Sequence, residues 1–176
     1  YIAAQTERVT IASGILPIYS RTPSLLAMTA AGIDYLSDGR CMLGLGASGP
    51  QVIEGFHGVP YDAPTARIRE IIEICRMVWR RERVSYDGRH YQIPLPQNRG
   101  TGLGKPLKLI NHPVREEIPI AVAALGAKSV QVTAELADAW LPAFYMAEGA
   151  DAVWGKALRA GAAKRDPARA PLEIFG

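Results

Sequence analysis

The stretch "CMLGLGASGP", residues 41–50, decides the fold because its glycines could serve either a dinucleotide site or a site for another anion in a different fold. Gly44, Gly46 and Gly49 have the spacing G-x-G-x-x-G after an apolar run, which is the dinucleotide-binding fingerprint of a doubly wound sheet. That site needs a continuous helix after the glycines and an acidic residue on the next strand. Prolines and glycines interrupt residues 50–60 instead. The sequence therefore argues against an NAD site, and the glycines remain free to approach another anion.

Strand and helix patterns alternate along the whole chain. Because each crossover helix must cover a face of the sheet, this alternation predicts a parallel α/β architecture. With the dinucleotide fingerprint rejected, the (β/α)₈ barrel is favoured over the open doubly wound sheet. We expect the strand ends Gly14, Gly46 and Leu125 to share one edge. The predicted strands cover 9–14, 41–46, 118–124, 139–143 and 172–175, and the predicted helices cover 23–37, 65–81, 127–138 and 147–165.

Residues 84–117 do not follow the alternation. The segment "RVSYDGRHYQI" alternates around Asp87-Gly88, which is a two-residue hairpin signal. Residues 94–117 hold many prolines and glycines and little periodicity. We therefore predict one domain over residues 1–176 with a hairpin and a long loop inserted at about 84–117.

Composition is that of an ordinary globular domain and narrows the choice of partners. The chain has 176 residues, 48% of them hydrophobic, and a formal net charge of only +3. Acids are scattered among the bases, so we do not expect nucleic acid as a partner. Cys41 and Cys75 lie in apolar surroundings without a C-x-x-C pair, which is typical of reduced core thiols in a cytoplasmic protein. No apolar run reaches the roughly 18 residues of a membrane span.

Four segments together resemble the luciferase-like monooxygenase superfamily, and are most similar to the coenzyme F420-dependent oxidoreductases of actinobacteria. They are "TIASGILPIYSRTP", "DYLSDGRCMLGLGASGPQVIEGFHG", "DGRHYQ" and "IPIAVAALGAKSVQVTAELADAWLP". The resemblance covers nearly the whole chain in the right order. It implies a (β/α)₈ TIM barrel and hydride transfer between a deazaflavin and a small organic substrate.

The resemblance also implies that this chain holds only part of such a barrel, about strands three to seven. A barrel of this type takes about 250 residues. The family's catalytic histidine or acid is expected upstream of Tyr1, so the catalytic residues are unknown here and we expect the fragment to be inactive alone. Unpaired parallel edges invite pairing with another copy, and a homo-oligomer is the expectation.

The family's cofactor contacts carry over onto three segments. A non-prolyl cis peptide that forms a bulge behind the cofactor ring matches Gly14-Ile15, next to Ser13. The glycine segment would place backbone N–H groups and a hydroxyl near the cofactor's side chain and phosphate. A helix beginning directly after a strand offers free N–H groups to phosphate, and Lys128 adds a positive charge. The last two segments comprise Gly46, Ala47, Ser48 and Gly49, and Ala124, Leu125, Gly126, Ala127 and Lys128.

Three functions remain open on this resemblance. The first is an F420-dependent oxidoreductase, the second is an FMN-dependent monooxygenase, and the third is a non-catalytic flavin-binding protein with a reduced barrel. Because the F420 tail carries a phosphodiester and carboxylates, extra cations at the barrel mouth favour F420 over FMN. The available cations are Lys105, Lys108, Arg115 and Lys128. His57, His90 and His112 lack the ligand spacing of a zinc site, and no metal is expected.

Overall fold

The computed structural model describes residues 1–176 and contains one parallel sheet of six short strands. Each connection between neighbouring parallel strands of the sheet carries at least one helix, whereas β1 leads directly to β2 and these two strands do not pair with each other. The sheet order is β1-β3-β6-β7-β8, with β2 also paired to β3. Its strands are β1 (Ile11–Ala12), β2 (Leu16–Pro17), β3 (Cys41–Gly46), β6 (Ile120–Ala123), β7 (Ala139–Leu141) and β8 (Glu173–Ile174). The predicted parallel architecture is confirmed.

Helices cover one face of this sheet and bury the core. Those with the largest buried faces are α2 and α4, which pack against each other. Trp79 of α4 is fully buried and its indole N–H donates to the carbonyl of Ala27 at 2.9 Å. The helices are α1 (Ile2–Gln5), α2 (Pro23–Leu36), α3 (Pro50–Gly55), α4 (Pro64–Trp79), α5 (Ala127–Leu136), α6 (Ala147–Ala150) and α7 (Lys156–Ala162). None of them is both long and apolar enough to cross a membrane.

A bulge separates β1 from β2, and the strand predicted over 9–14 covers only Ile11–Ala12 in the structure. Ala12 pairs with Met42 and Leu16 pairs with Leu45, so three residues of one strand face two of the other. The Ser13 hydroxyl bridges this gap, donating to the Gly44 carbonyl at 2.8 Å and accepting the Gly44 N–H at 3.0 Å. The following peptide bond, Gly14-Ile15, is cis, as the family resemblance implies.

The hairpin exists, but its turn was predicted two residues too early. Strands β4 (Tyr86–Asp87) and β5 (Gln92–Ile93) pair antiparallel, and the Gly88 N–H donates to the Tyr91 carbonyl. The chain therefore reverses at residues 89–90. The reason lies on another element: the buried Glu70 carboxylate of α4 accepts the N–H groups of residues 89, 90 and 91. A carboxylate from a helix distant in sequence therefore fixes the turn at residues 89–90, two residues after the position that the Asp-Gly signal predicts.

Two helical segments also differ from expectation. The interrupted stretch after Gly49 still forms a six-residue helix, α3, with Pro50 at its first position. Pro at a helix start removes no needed donor, which explains why a helix begins there. The predicted helix 147–165 is three pieces, because a π-helical turn over Asp151–Gly155 joins α6 to α7.

Arg115 was expected among the cations at the barrel mouth, and this prediction is wrong. Its guanidinium donates to the carboxylate of Asp34, which is fully buried, and to the carbonyl of Cys41. Cys41 begins β3, whereas Gly46 ends it. Strand residues rise by about 3.3 Å each, so Arg115 lies at the opposite end of the sheet from the mouth. The buried carboxylate attracts the cation there.

Candidate cofactor-binding site

An open cavity of about 480 Å³ lies at the carboxyl ends of β3, β6 and β7. Of the strand ends predicted to share one edge, Gly46 and Leu125 line this cavity, and Gly14 directly precedes Ile15, which lines it too. The first turns of α4 and α5 form its sides. In parallel α/β folds the carboxyl edge of the strands is where ligands bind. The lining comprises Ile15, Gly46, Ala47, Ser48, Tyr61, Pro64, Thr65, Ile68, Ala123, Ala124, Leu125, Gly126, Ser129, Leu141 and Ala143.

Each glycine of the G-x-G-x-x-G stretch has a separate structural task. A β-carbon on Gly44 would overlap the carbonyl oxygen of Ser13, so only glycine admits the bulge. A β-carbon on Gly46 would lie 2.8 Å from the side chain of Ile15, so this glycine makes room for Ile15 at the cavity floor. Gly49 precedes α3 as its N-cap. The spacing therefore serves a bulge and a cavity floor, which removes the dinucleotide interpretation.

The connection from β6 to α5 carries a run of free backbone donors. The N–H groups of Leu125 and Gly126 have no acceptor within the chain. Those of Ala127, Lys128 and Ser129 form the first turn of α5, where no intrahelical acceptor exists and no side chain caps the helix. The Ser129 hydroxyl donates to the Gly126 carbonyl at 2.8 Å, which tightens this turn. Five consecutive N–H groups are thus available at the cavity edge, and helix N-termini with such donors favour phosphate.

Tyr61 closes the cavity on the side of α4. Its hydroxyl donates to the carbonyl of Ser48 at 3.3 Å, which joins the α3–α4 loop to the glycine segment. Its ring lies 5.3 Å from that of Tyr19, and the guanidinium of Arg67 lies 5.6 Å from the centre of the Tyr19 ring. Arg67 also forms an ion pair with Asp62 at 2.8 Å. The loop that carries Tyr61 is therefore held from both ends.

Burial keeps the phenols beside this wall protonated. Burial, followed by the neighbouring Tyr61, raises the pKa of Tyr19 to about 12. Burial also raises the pKa of Tyr91, whose ring centre lies 5.6 Å from the guanidinium of Arg67. Both phenols therefore stay protonated at alkaline pH values at which an exposed tyrosine begins to ionise.

The cavity wall carries no charged side chain. Its polar side chains are the hydroxyls of Ser48, Tyr61, Thr65 and Ser129, and the rest is apolar or backbone. Such a wall can accommodate a flat apolar ring and donate hydrogen bonds, but it supplies no carboxylate, imidazole or ammonium group. None of the four candidate cations, Lys105, Lys108, Arg115 and Lys128, lines it. The expectation that extra cations at the mouth select F420 therefore depends on Lys128 alone, which stands exposed in the first turn of α5.

The structure places the predicted site residues in two groups. Seven of them line the cavity: Ile15, Gly46, Ala47, Ser48, Ala124, Leu125 and Gly126. Ser13 and Gly14 form the bulge beneath it, Gly49 begins α3, and Ala127 and Lys128 form the exposed first turn of α5. Their contact with a cofactor stays a prediction.

Sequence reasoning missed the opposite wall. Tyr61 and Thr65 line the cavity and were not predicted, whereas Ser129 lines it from the first turn of α5, the helix start that was predicted to face phosphate. One signal could have found the first two, because Pro64 marks the start of α4. In a parallel fold the helix that follows a strand runs antiparallel to it. The start of a sheet-packed helix that leads from one parallel strand to the next therefore lies near the carboxyl edge. We could have placed residues 61–65 there.

No cluster of three histidine, cysteine, aspartate or glutamate side chains could hold a metal ion.

Comparison with known proteins decides the family. The family model described as luciferase-like monooxygenase matches residues 1–175. The chain belongs to the luciferase-like monooxygenase family. Among curated members, a Mycobacterium tuberculosis protein named "Putative coenzyme F420-dependent oxidoreductase" is 49% identical over 143 residues, which are 81% of this chain and 41% of that protein. The chain thus spans less than half the length of this luciferase-like relative.

Solved structures of other proteins share the fold. The coenzyme F420-dependent tetrahydromethanopterin reductase of Methanopyrus kandleri has a TM-score of 0.79 at 20% identity, covering 98% of this chain and 50% of its own. The oxygenating constituent of 3,6-diketocamphane monooxygenase of Pseudomonas putida, solved with FMN, has a TM-score of 0.70 at 20% identity, covering 98% and 49%. This luciferase-like chain is therefore an incomplete barrel of the same α/β architecture.

Proposed function

We propose that this protein is a coenzyme F420-dependent oxidoreductase that transfers a hydride between the deazaflavin and a small organic substrate. The observation that carries the proposal is the run of free N–H groups on Leu125–Ser129 beside an uncharged cavity. The 49% identity to the mycobacterial protein named for F420 supports this cofactor over FMN. The whole protein's activity is part of the proposal, because the chain spans about half of its structural relatives.

The residues present fit such a cofactor in two places. The free donors of α5 and the ammonium of Lys128 would hold its phosphate. Ile15, for which Gly46 makes room, would lie against the apolar ring. When bound, the deazaflavin supplies the hydride chemistry, which the uncharged wall cannot. The wall's own contribution is to orient the ring and to exclude water from one side of it.

An FMN-dependent monooxygenase is the second candidate. FMN also carries a phosphate and a flat ring, so the same donors and the same cavity would accept it. The Pseudomonas putida neighbour, solved with FMN, favours this alternative at the level of the fold. A flavin-binding protein without activity would bind either cofactor and reduce none.

Oligomerisation is a further part of the proposal. The outer strands β1 and β8 each pair on one side only. Unpaired strand edges present free donors and acceptors. We propose that the protein is a homo-oligomer in which another copy covers any edge that the rest of the barrel leaves open, and analytical ultracentrifugation would measure this directly.

Parallel fluorescence titrations with F420 and with FMN test the cofactor assignment. We expect saturable F420 binding that is at least about tenfold tighter than FMN binding, a difference of about 1.4 kcal/mol. Tighter binding of FMN would support the monooxygenase alternative. Absence of binding for both cofactors would contradict the proposed site.

A further inference from the structure

Two indole groups hold consecutive carbonyls at the edge of the cavity. The Nε1–H of Trp140 donates to the carbonyl of Ala124 at 2.8 Å. The Nε1–H of Trp154 donates to the carbonyl of Leu125, also at 2.8 Å. Both carbonyls follow the last residue of β6, so neither belongs to the sheet ladder or to α5. Without the indoles, these two acceptors would depend on solvent.

The two bonds fix the direction of the neighbouring N–H groups. The peptide bonds after Ala124 and Leu125 are trans, since the chain's cis bonds lie elsewhere. In a planar trans peptide the carbonyl and the N–H point in opposite directions. With both carbonyls directed at the indoles, the N–H groups of Leu125 and Gly126 point away from them. Leu125 and Gly126 line the cavity, so the indoles set how the run of free donors begins.

The helix that carries Trp154 is built to bring its indole to this place. Trp154 lies in the π-helical turn Asp151–Gly155, and such turns re-aim side chains and are frequent at functional sites. Its ring packs against that of Trp140 at 5.2 Å, edge to face. The following helix, α7, packs closely on α5. The close approach shows at Gly161, where a β-carbon would overlap the carbonyl oxygen of Gln131. The packing of α7 on α5, the π-helical turn and the contact with Trp140 together hold the indole of Trp154 at the carbonyl of Leu125.

We infer that Trp140 and Trp154 are positioning residues that orient the donor run 125–129 for an anionic group of the ligand. The inference rests on the proposed function for the nature of that ligand, F420. The indoles do not line the cavity and are not expected to touch the ligand. They act through the backbone of Ala124 and Leu125.

Trp154→Phe is the decisive variant, because it keeps an aromatic ring and removes the donor. Trp154 is only partly buried, so the variant is expected to fold. Trp79→Phe is the matched control: it removes an indole bond to the carbonyl of Ala27 between α2 and α4, away from the cavity. Loss of one hydrogen bond is expected to weaken F420 binding by about fivefold in Trp154→Phe. Trp140→Phe should act in the same direction, and Trp79→Phe should lower thermal stability without changing F420 affinity.

Hydrogen exchange of the ligand-free protein gives a second readout. The Val130 N–H is bonded to the Gly126 carbonyl. Its exchange rate should rise in Trp154→Phe and should stay the same in Trp79→Phe. Wild-type affinity together with wild-type exchange in Trp154→Phe would overturn the inference. So would an equal loss of affinity in Trp79→Phe. If the wild-type protein did not bind F420, the proposed function would fail, while the exchange rates would still decide whether the indoles position this segment.

Discussion

Ser13 and Gly44 are bonded to each other twice across the bulge between β1 and β2. The Ser13 hydroxyl donates to the Gly44 carbonyl at 2.8 Å and accepts the Gly44 N–H at 3.0 Å. The two bonds replace the regular ladder at the point where the chain turns toward Ile15 and the cavity. The bulge is therefore a defined structure with its own hydrogen bonds, and Gly44 is part of it.

Gly44→Ala should destabilise the protein strongly. Its β-carbon would overlap the Ser13 carbonyl oxygen, so the bulge must move or open. We expect a loss of at least about 2 kcal/mol in the free energy of unfolding, measured by urea denaturation. Gly32→Ala is the control, because Gly32 lies in α2 with open space around it. That change should stabilise the protein by up to about 1 kcal/mol. A neutral Gly44→Ala would contradict the account of the bulge.

Arg115→Met should cost far more stability than the loss of a surface ion pair. It would leave the fully buried Asp34 carboxylate without its cation, which costs about 3–5 kcal/mol. Arg159→Ala breaks an ion pair whose side chains are 68% and 79% exposed, and should cost less than about 1 kcal/mol. Denaturation of both variants measures the difference. Equal losses would mean that Arg115 is not a structural cation.

Stability should fall as the pH rises above 9. Burial raises the pKa of Cys75 to about 12 from its ordinary value of 9.0. Burial, followed by the Asp34 carboxylate, raises the pKa of Cys41 to about 11. Below pH 9 both states keep the thiol protons, so the contribution of the thiols to stability is fully present. Above it the unfolded chain releases them and the folded chain does not, so unfolding becomes easier.

The slope should approach about 1.4 kcal/mol per pH unit for each thiol. Denaturation at several pH values between 9 and 10 measures it, and Cys75→Ala should flatten the curve. An unchanged slope in Cys75→Ala would show that burial does not hold this thiol protonated.

Lys128→Ala should weaken F420 binding by about 1–3 kcal/mol, the range for a charge-assisted hydrogen bond. Lys128 stands exposed in the first turn of α5, beside the free N–H groups. Lys156→Ala removes an exposed lysine from the start of α7 and serves as the control. Equal affinities of the two variants at moderate salt would argue against a phosphate at α5.

The sequence predicted those elements whose pattern is local. The apolar residues of α4 at helical spacing and the β-branched run before Leu125 predicted both elements and their direction. The carboxyl edge of the sheet followed from this, and with it half of the cavity wall. The resemblance to the family added Gly14-Ile15, which no propensity indicates.

The remaining features depend on contacts between distant residues. Glu70 determines the position of the turn at 89–90, and the buried Asp34 determines where the guanidinium of Arg115 lies. Tyr61 reaches the cavity from a loop without a motif, and the indole of Trp154 reaches Leu125 through a π-helical turn. No spacing of residues along the sequence indicates these long-range contacts. They appear only when the elements are packed.

Hydrogen exchange of the wild-type protein with and without F420 tests the central claim most directly. If the N–H groups of 125–129 hold the cofactor's phosphate, their exchange should slow on binding, because free donors become hydrogen-bonded. The glycine segment 46–49 should be protected with them, and the hairpin 86–93 should not change. Saturating F420 that leaves 125–129 unprotected, or that protects the hairpin instead, would contradict the proposed site.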